Sequence, residues 1–113
     1  MLTLKSKNDY QKLAGSRYKK IGKYFLVVYM ADLGCETPRA GITVSKKIGN
    51  AVIRNKVKRR IKAVLREFFL PVTCKSFLCN IIALSSVTSA DWMALKNDLT
   101  DCLSRIVKEM RDM

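Results

Sequence analysis

Apolar positions along the chain follow two different spacings, and the changes between them mark its elements. Ile53, Val57, Ile61, Val64, Leu65, Phe68 and Phe69 recur every third or fourth place. At about 100° per residue they gather on one arc of a helix over residues 51–69, which Pro71 stops. Trp92, Leu95, Leu99, Cys102, Leu103, Ile106, Val107 and Met110 share that spacing and form a closing helix. Ser89 is placed to cap it, with Asp91 in its first turn. Residues 23–31, KYFLVVYMA, are rich in aromatic and β-branched types and read as a strand buried on both faces or nearly so.

Residues 39–45, RAGITVS, alternate enough to be the return strand of a hairpin across the turn-forming stretch 32–38. Residues 79–85, CNIIALS, are a further strand, and 18–21 a short one. Residues 6–14 read as a short helix with Ser6 as N-cap and Gly15 as stop. Tyr10, Leu13 and Ala14 share one face of it, among Lys5, Lys7, Lys12 and Arg17. Helix, strands, helix, strand, helix is the order of an α/β or α+β two-layer sandwich. With 113 residues, 49% of them hydrophobic, the expectation is one domain over residues 1–113.

Charge changes the picture from fold to partner. Twenty-two Lys and Arg stand against nine Asp and Glu, a net charge of +13. Ten of the cations and none of the acids fall within residues 39–66. A merely solvated face mixes both signs, so a block of one sign marks a site for a polyanion. Four cysteines without a close pair, and no histidine, point away from a structural zinc site. The chain opens without a signal-peptide pattern, and its longest apolar run, residues 24–31, is shorter than the ~20 residues a membrane span needs. A reduced, cytoplasmic protein is expected, with the cysteines as small core residues or surface thiols.

The 51–69 helix concentrates the chemistry. Arg54, Lys58, Lys62 and Arg66 form a cationic stripe at every fourth residue, and Lys56, Arg59 and Arg60 cover the opposite, outer side. Like charges at this spacing repel, and no carboxylate precedes Glu67 to offset them. Arg54 projects toward the apolar arc in the first turn, beside Asn55 and the free N–H groups of the helix N-terminus. Lys46 and Lys47 add charge at that end, where Gly49 allows close backbone approach. A guanidinium fork, an amide and free donors together make a directional phosphate clamp. Asn50 and Asn55 also fit as plain helix caps. Tyr10, Tyr18, Tyr24 and Tyr29 are candidates for stacking on unpaired bases, or are simply half-buried.

Residues 39–69 contain Gly41, Val44-Ser45-Lys46-Lys47, Gly49-Asn50-Ala51-Val52 and Arg54-Asn55-Lys56, with Lys58 and Arg59, in one register. This register resembles the signature of the bacterial ribonuclease P protein subunit, and weaker likeness runs over nearly the whole chain. The resemblance implies a small mixed sheet packed by helices, ribosomal-protein-like, with a left-handed βαβ crossover carrying the basic helix. It implies a catalytic RNA as partner and precursor tRNA as substrate, with removal of the 5′ leader. The chemistry would lie in the RNA and need Mg2+ in the holoenzyme. No cofactor or metal would be held by the protein, and no protein partner would be required. Carried over by position, Arg54, Asn55, Lys56, Lys58 and Arg59 would bind RNA, and the charge pattern adds Lys46, Lys47, Arg60, Lys62 and Arg66 to that surface. Tyr10, Lys12 and Arg17 would line a cleft for the leader. Lys56 replaces the motif's usual second arginine, Ala14 a common aromatic residue, and residues 80–86 lack the usual strand-end arginine.

Charge and fold alone suit a structural RNA-binding protein of ribosomal type equally well, and only the register of residues 39–69 separates the two. A DNA-reading helix module lacks its partner helix and its dimerisation heptads. An independent nuclease lacks histidine for acid–base work, and its carboxylates avoid the basic segment.

Overall fold

The computed structural model describes residues 2–3, 13, 15–31, 39–69 and 77–111. Five strands form one mixed sheet: β1 Leu2–Thr3, β2 Lys19–Ile21, β3 Phe25–Ala31, β4 Arg39–Thr43 and β5 Phe77–Ala83, in the order β1-β4-β5-β3-β2. Helix α1, Ala51–Phe69, joins β4 to β5, and α2, Trp92–Arg111, closes the chain. The expected 6–14 helix lies outside the described residues except for buried Leu13, and the 32–38 turn lies outside them entirely.

Residues 39–45 were expected to return along residues 23–31 as a hairpin, and they do not. β5 lies between β3 and β4, antiparallel to the first with Phe25 opposite Ala83, and parallel to the second with Thr43 opposite Ile82. The physical reason lies in β5 itself. Phe77, Leu78, Cys79, Ile81 and Ala83 are buried on its two faces, and a strand so apolar is stable in the middle of a sheet. The crossover through α1 supplies the length that parallel pairing requires.

The core fills the helix-covered face. Val57, Ile61, Val64 and Leu65 of α1 and Leu95, Leu99, Leu103 and Ile106 of α2 pack on Phe25, Val27, Tyr29, Phe77, Cys79 and Ile81. Ile61 is fully enclosed, so trimming it to alanine would cost about 2–5 kcal/mol. The other face carries a smaller cluster of Leu13, Val28 and Leu78 with Leu26, Met30 and Ile82 partly covered. Cys79 and Cys102 are both free thiols inside the protein, and burial pushes the Cys79 thiol up to about 12.

Helix starts follow local hydrogen bonding. Asn50 caps α1: its Oδ1 accepts from the Ile53 N–H at 3.0 Å. Asp91, rather than Ser89, caps α2, accepting from the Ala94 N–H at 2.7 Å. Ser89 instead ends a 3-10 turn over Ser85–Ser89, its hydroxyl donating to the Ser86 carbonyl. A carboxylate is the stronger acceptor at a helix N-terminus, and it takes the position.

Candidate nucleic-acid interface

The strip of α1 turned away from the core carries its charge. Lys56, Arg59, Lys62 and Arg66 are exposed, while Arg54, Lys58 and Arg60 are partly buried. Such side chains bury their methylene stems along apolar surface, and in Arg54 the burial reaches the guanidinium Nε. Among the described residues the ion pairs are Lys20 with Glu109, Lys96 with Glu67 and Arg105 with Asp101. None uses a cation between Arg39 and Arg66. Glu67, the carboxylate that follows the stripe on α1, is turned to Lys96 of α2 at 2.7 Å. The cations of α1 are therefore without a counter-ion among the described residues.

Arg54 sits in the first turn, with its Nε buried and without a hydrogen-bond partner. Lys46 and Lys47 are exposed on the short 3-10 turn Lys46–Ile48 just before the helix. Asn55 is exposed one place beyond Arg54. Since Asn50 supplies the cap, the Asn55 amide is left on the surface. Ile53, placed by its spacing among the packing residues, is 41% exposed, as the first turn extends beyond the core, and its neighbour Val52 is 75% exposed. Gly49 has a local reason to be glycine. A Cβ there would press on the Ile53 side chain at 3.0–3.1 Å.

The outer cations have more company than their positions on a helical wheel indicate. Lys56, Arg59 and Arg60 line a shallow groove of about 390 Å³ with Ala63 and with Trp92 of α2. The spacing of Trp92 places it with the packing residues of α2, and it does contact the core with part of its surface. Its place beside the cations depends on how α1 and α2 meet, and no pattern within either segment shows that.

Other candidates fall differently. Tyr10 and Lys12 lie outside the described residues. Arg17 is exposed, its guanidinium 5.8 Å over the ring of Tyr18, which is itself 48% exposed. Tyr24 and Tyr29 are buried and offer no face to a base. The Tyr29 hydroxyl donates to Glu109, which also pairs with Lys20. These hydrogen bonds, the one from Tyr29 first, hold the Glu109 carboxyl below its ordinary range. The bond to Glu109 raises Lys20, and burial raises Tyr29. Arg39, not singled out by the sequence, shares the sheet face of the smaller cluster with Leu78, its partner in the β4–β5 register, and its Nε is also buried and unpartnered. No helix among the described residues is long and apolar enough to cross a membrane.

A small α/β protein whose crossover helix bears cations without counter-ions among the described residues has a surface of the kind that suits a polyanion, and that is the class which fold and surface define. The family model described as Ribonuclease P matches residues 2–107, and the chain belongs to that family. It is similar to the ribonuclease P protein component of Thermus thermophilus, 36% identical over 107 residues, 93% of this chain and 60% of that protein. The chain thus spans 60% of the length of that relative. The component from Streptococcus agalactiae is 36% identical over 100 residues, 88% of this chain and 89% of its own. The solved structure of Staphylococcus aureus RNase P protein superposes with a TM-score of 0.83 at 25% identity, covering 94% of this chain and 95% of that one.

Proposed function

We propose that this chain is the protein subunit of ribonuclease P, binding a catalytic RNA and the 5′ leader of precursor tRNA during leader removal. The observation that carries the reading is the cationic surface of α1, whose Lys and Arg make no ion pair among the described residues, in a chain matched to the family over residues 2–107. Holding two RNAs together costs strong phosphate repulsion. Lysines and arginines placed between them offset it by releasing counter-ions. Arg54, Asn55, Lys46 and Lys47 supply directional bonds at one end of the helix, and Lys58, Lys62 and Arg66 supply charge along it.

In this reading the RNA carries the chemistry and holds the Mg2+. The leader would run along the sheet face of Arg39 and Leu78, and Tyr10, Lys12 and Arg17 are the residues proposed to line its path. The complex would work in the cytoplasm and need no further protein. The test is precursor-tRNA cleavage at low magnesium by a bacterial ribonuclease P RNA, with and without this chain. The expected result is strong stimulation by the protein and no cleavage by the protein alone. Tight RNA binding without stimulation would overturn the processing role in favour of a structural one.

A further inference from the structure

The groove between α1 and α2 combines two features that single-stranded nucleic acid needs. Ala63, a small residue, lines it together with Lys56, Arg59, Arg60 and Trp92. Trp92 is half-buried at the start of α2 and packs in part against the core. Lys56, Arg59 and Arg60 are unpaired by any carboxylate among the described residues. Cations pack over the rings of Tyr18, Tyr29 and Tyr24. Among the described residues no cation lies over Trp92, although three line the same groove. The indole is left for another planar group, and the cations for a phosphate. The volume, about 390 Å³, falls in the range of roughly 300–1,000 Å³ that seats a small molecule.

We infer that this groove receives one unpaired nucleotide of RNA, its base stacked on Trp92 and its phosphate held by Arg59 and Arg60, with Lys56 at the rim. The inference rests on the proposed RNA-binding role and adds a stacking residue to a surface otherwise read as electrostatic. Stacking on an aromatic residue is tolerant of base identity and worth about tenfold or more in affinity per base. The nucleotide could belong to the RNA subunit or to the precursor tRNA. Because the leader is read along the sheet face opposite α1, the nucleotide is assigned to the RNA subunit.

Trp92 is the only tryptophan of the chain, so its emission reports on the groove directly. The full-length protein is titrated with ribonuclease P RNA, with precursor tRNA, and with both, while a gel-shift assay follows binding independently. Quenching of emission and loss of acrylamide access with the RNA subunit supports the inference and assigns the nucleotide to that RNA. The same change only after precursor tRNA is added supports it and assigns the nucleotide to the substrate. RNA binding with emission and acrylamide access unchanged overturns the inference and leaves the subunit reading standing. Absence of RNA binding overturns both.

Two variants separate stacking from packing. Trp92→Leu keeps an apolar contact with the core and should lose about tenfold in affinity, whereas Trp92→Phe, which keeps a ring, should retain most of it. Ala63→Leu fills the groove without removing a cation or the indole, and leucine suits a helix. It should weaken RNA binding comparably while the emission of Trp92 becomes insensitive to RNA. Wild-type affinity in both Trp92→Leu and Ala63→Leu would overturn the inference.

Discussion

The carboxylate of Asp98 occupies the space that a side chain on Gly22 would need. A Cβ on Gly22 would lie 2.6 Å from one carboxylate oxygen and 2.7 Å from the other. Those oxygens accept hydrogen bonds from the N–H groups of Lys23 at 2.8 Å and Tyr24 at 2.9 Å. The turn between β2 and β3 is thereby tied to α2 by a contact that spans most of the chain. Its grip depends on the absence of a side chain at residue 22.

Gly22→Ala should therefore destabilise the fold by about 1–3 kcal/mol, as overpacking does. Asp98→Ala should cost about 1–2 kcal/mol by leaving two backbone donors without their acceptor. The two losses should not add, because removing the carboxylate makes room for the new methyl. Urea denaturation of both single variants and the double variant checks this, and strict additivity would show that the two residues do not oppose each other.

The cluster of Tyr29, Glu109 and Lys20 sets a pH dependence whose sign follows from its shifts. Glu109 is held below its ordinary range, so its contribution is complete above the unfolded value of about 4.3 and is lost as pH falls through the folded one. Lys20 and Tyr29 are raised, so their contributions are present below their unfolded values and lost as pH rises through the folded ones. Glu109→Gln should flatten the acid limb of the stability profile. Glu109 is more than a third exposed, so the effect should be modest and shrink with added salt. Urea midpoints across the acid range, at low and high salt, measure it.

Salt dependence offers a count of phosphate contacts. Each cation that neutralises a phosphate contributes about 0.7 to the log–log slope with a single strand and about 0.9 with a duplex. Arg54→Ala should lower the slope for ribonuclease P RNA by roughly one such step and slow precursor-tRNA processing with it. Lys108→Ala, an exposed position of α2 on the charge-balanced part of the chain, should leave both nearly unchanged. Equal effects from the two would remove the special role given to the first turn of α1.

What could be read from the chain beforehand divides along a physical line. The helix over residues 51–69 was legible because seven apolar residues at one spacing and a following proline all specify it locally. β5 as a strand was legible for similar reasons, but its partners were not. Alternation shows which face of a strand is buried and not which strand lies beside it, hence the mistaken hairpin for residues 39–45. The cations of α1 declared themselves by the absence of acids. Trp92 did not, because a half-buried tryptophan next to foreign cations has the same spacing as a core residue. Asp98 was silent for the same reason, since its acceptor role exists only when the β2–β3 turn arrives from far away in sequence.

The start of α2 tests how a cap is chosen where two candidates stand two residues apart. Ser89 and Asp91 both suit the position by residue type, and the structure gives it to Asp91, whose Oδ1 binds the Ala94 N–H while its carbonyl accepts from Leu95. Asp91→Ala should cost about 1 kcal/mol through the lost cap. It should also remove a favourable charge from the helix N-terminus. Ser89→Ala should cost only a few tenths of that, since its hydroxyl serves the 3-10 turn and not the helix. Because α2 carries Trp92 in its first turn, Asp91→Ala should also loosen the indole and raise its access to acrylamide in the free protein. Ser89→Ala should leave that access as it is. Thermal melts and quenching on the two variants measure both effects, and a larger cost at Ser89 would return the helix start to the serine.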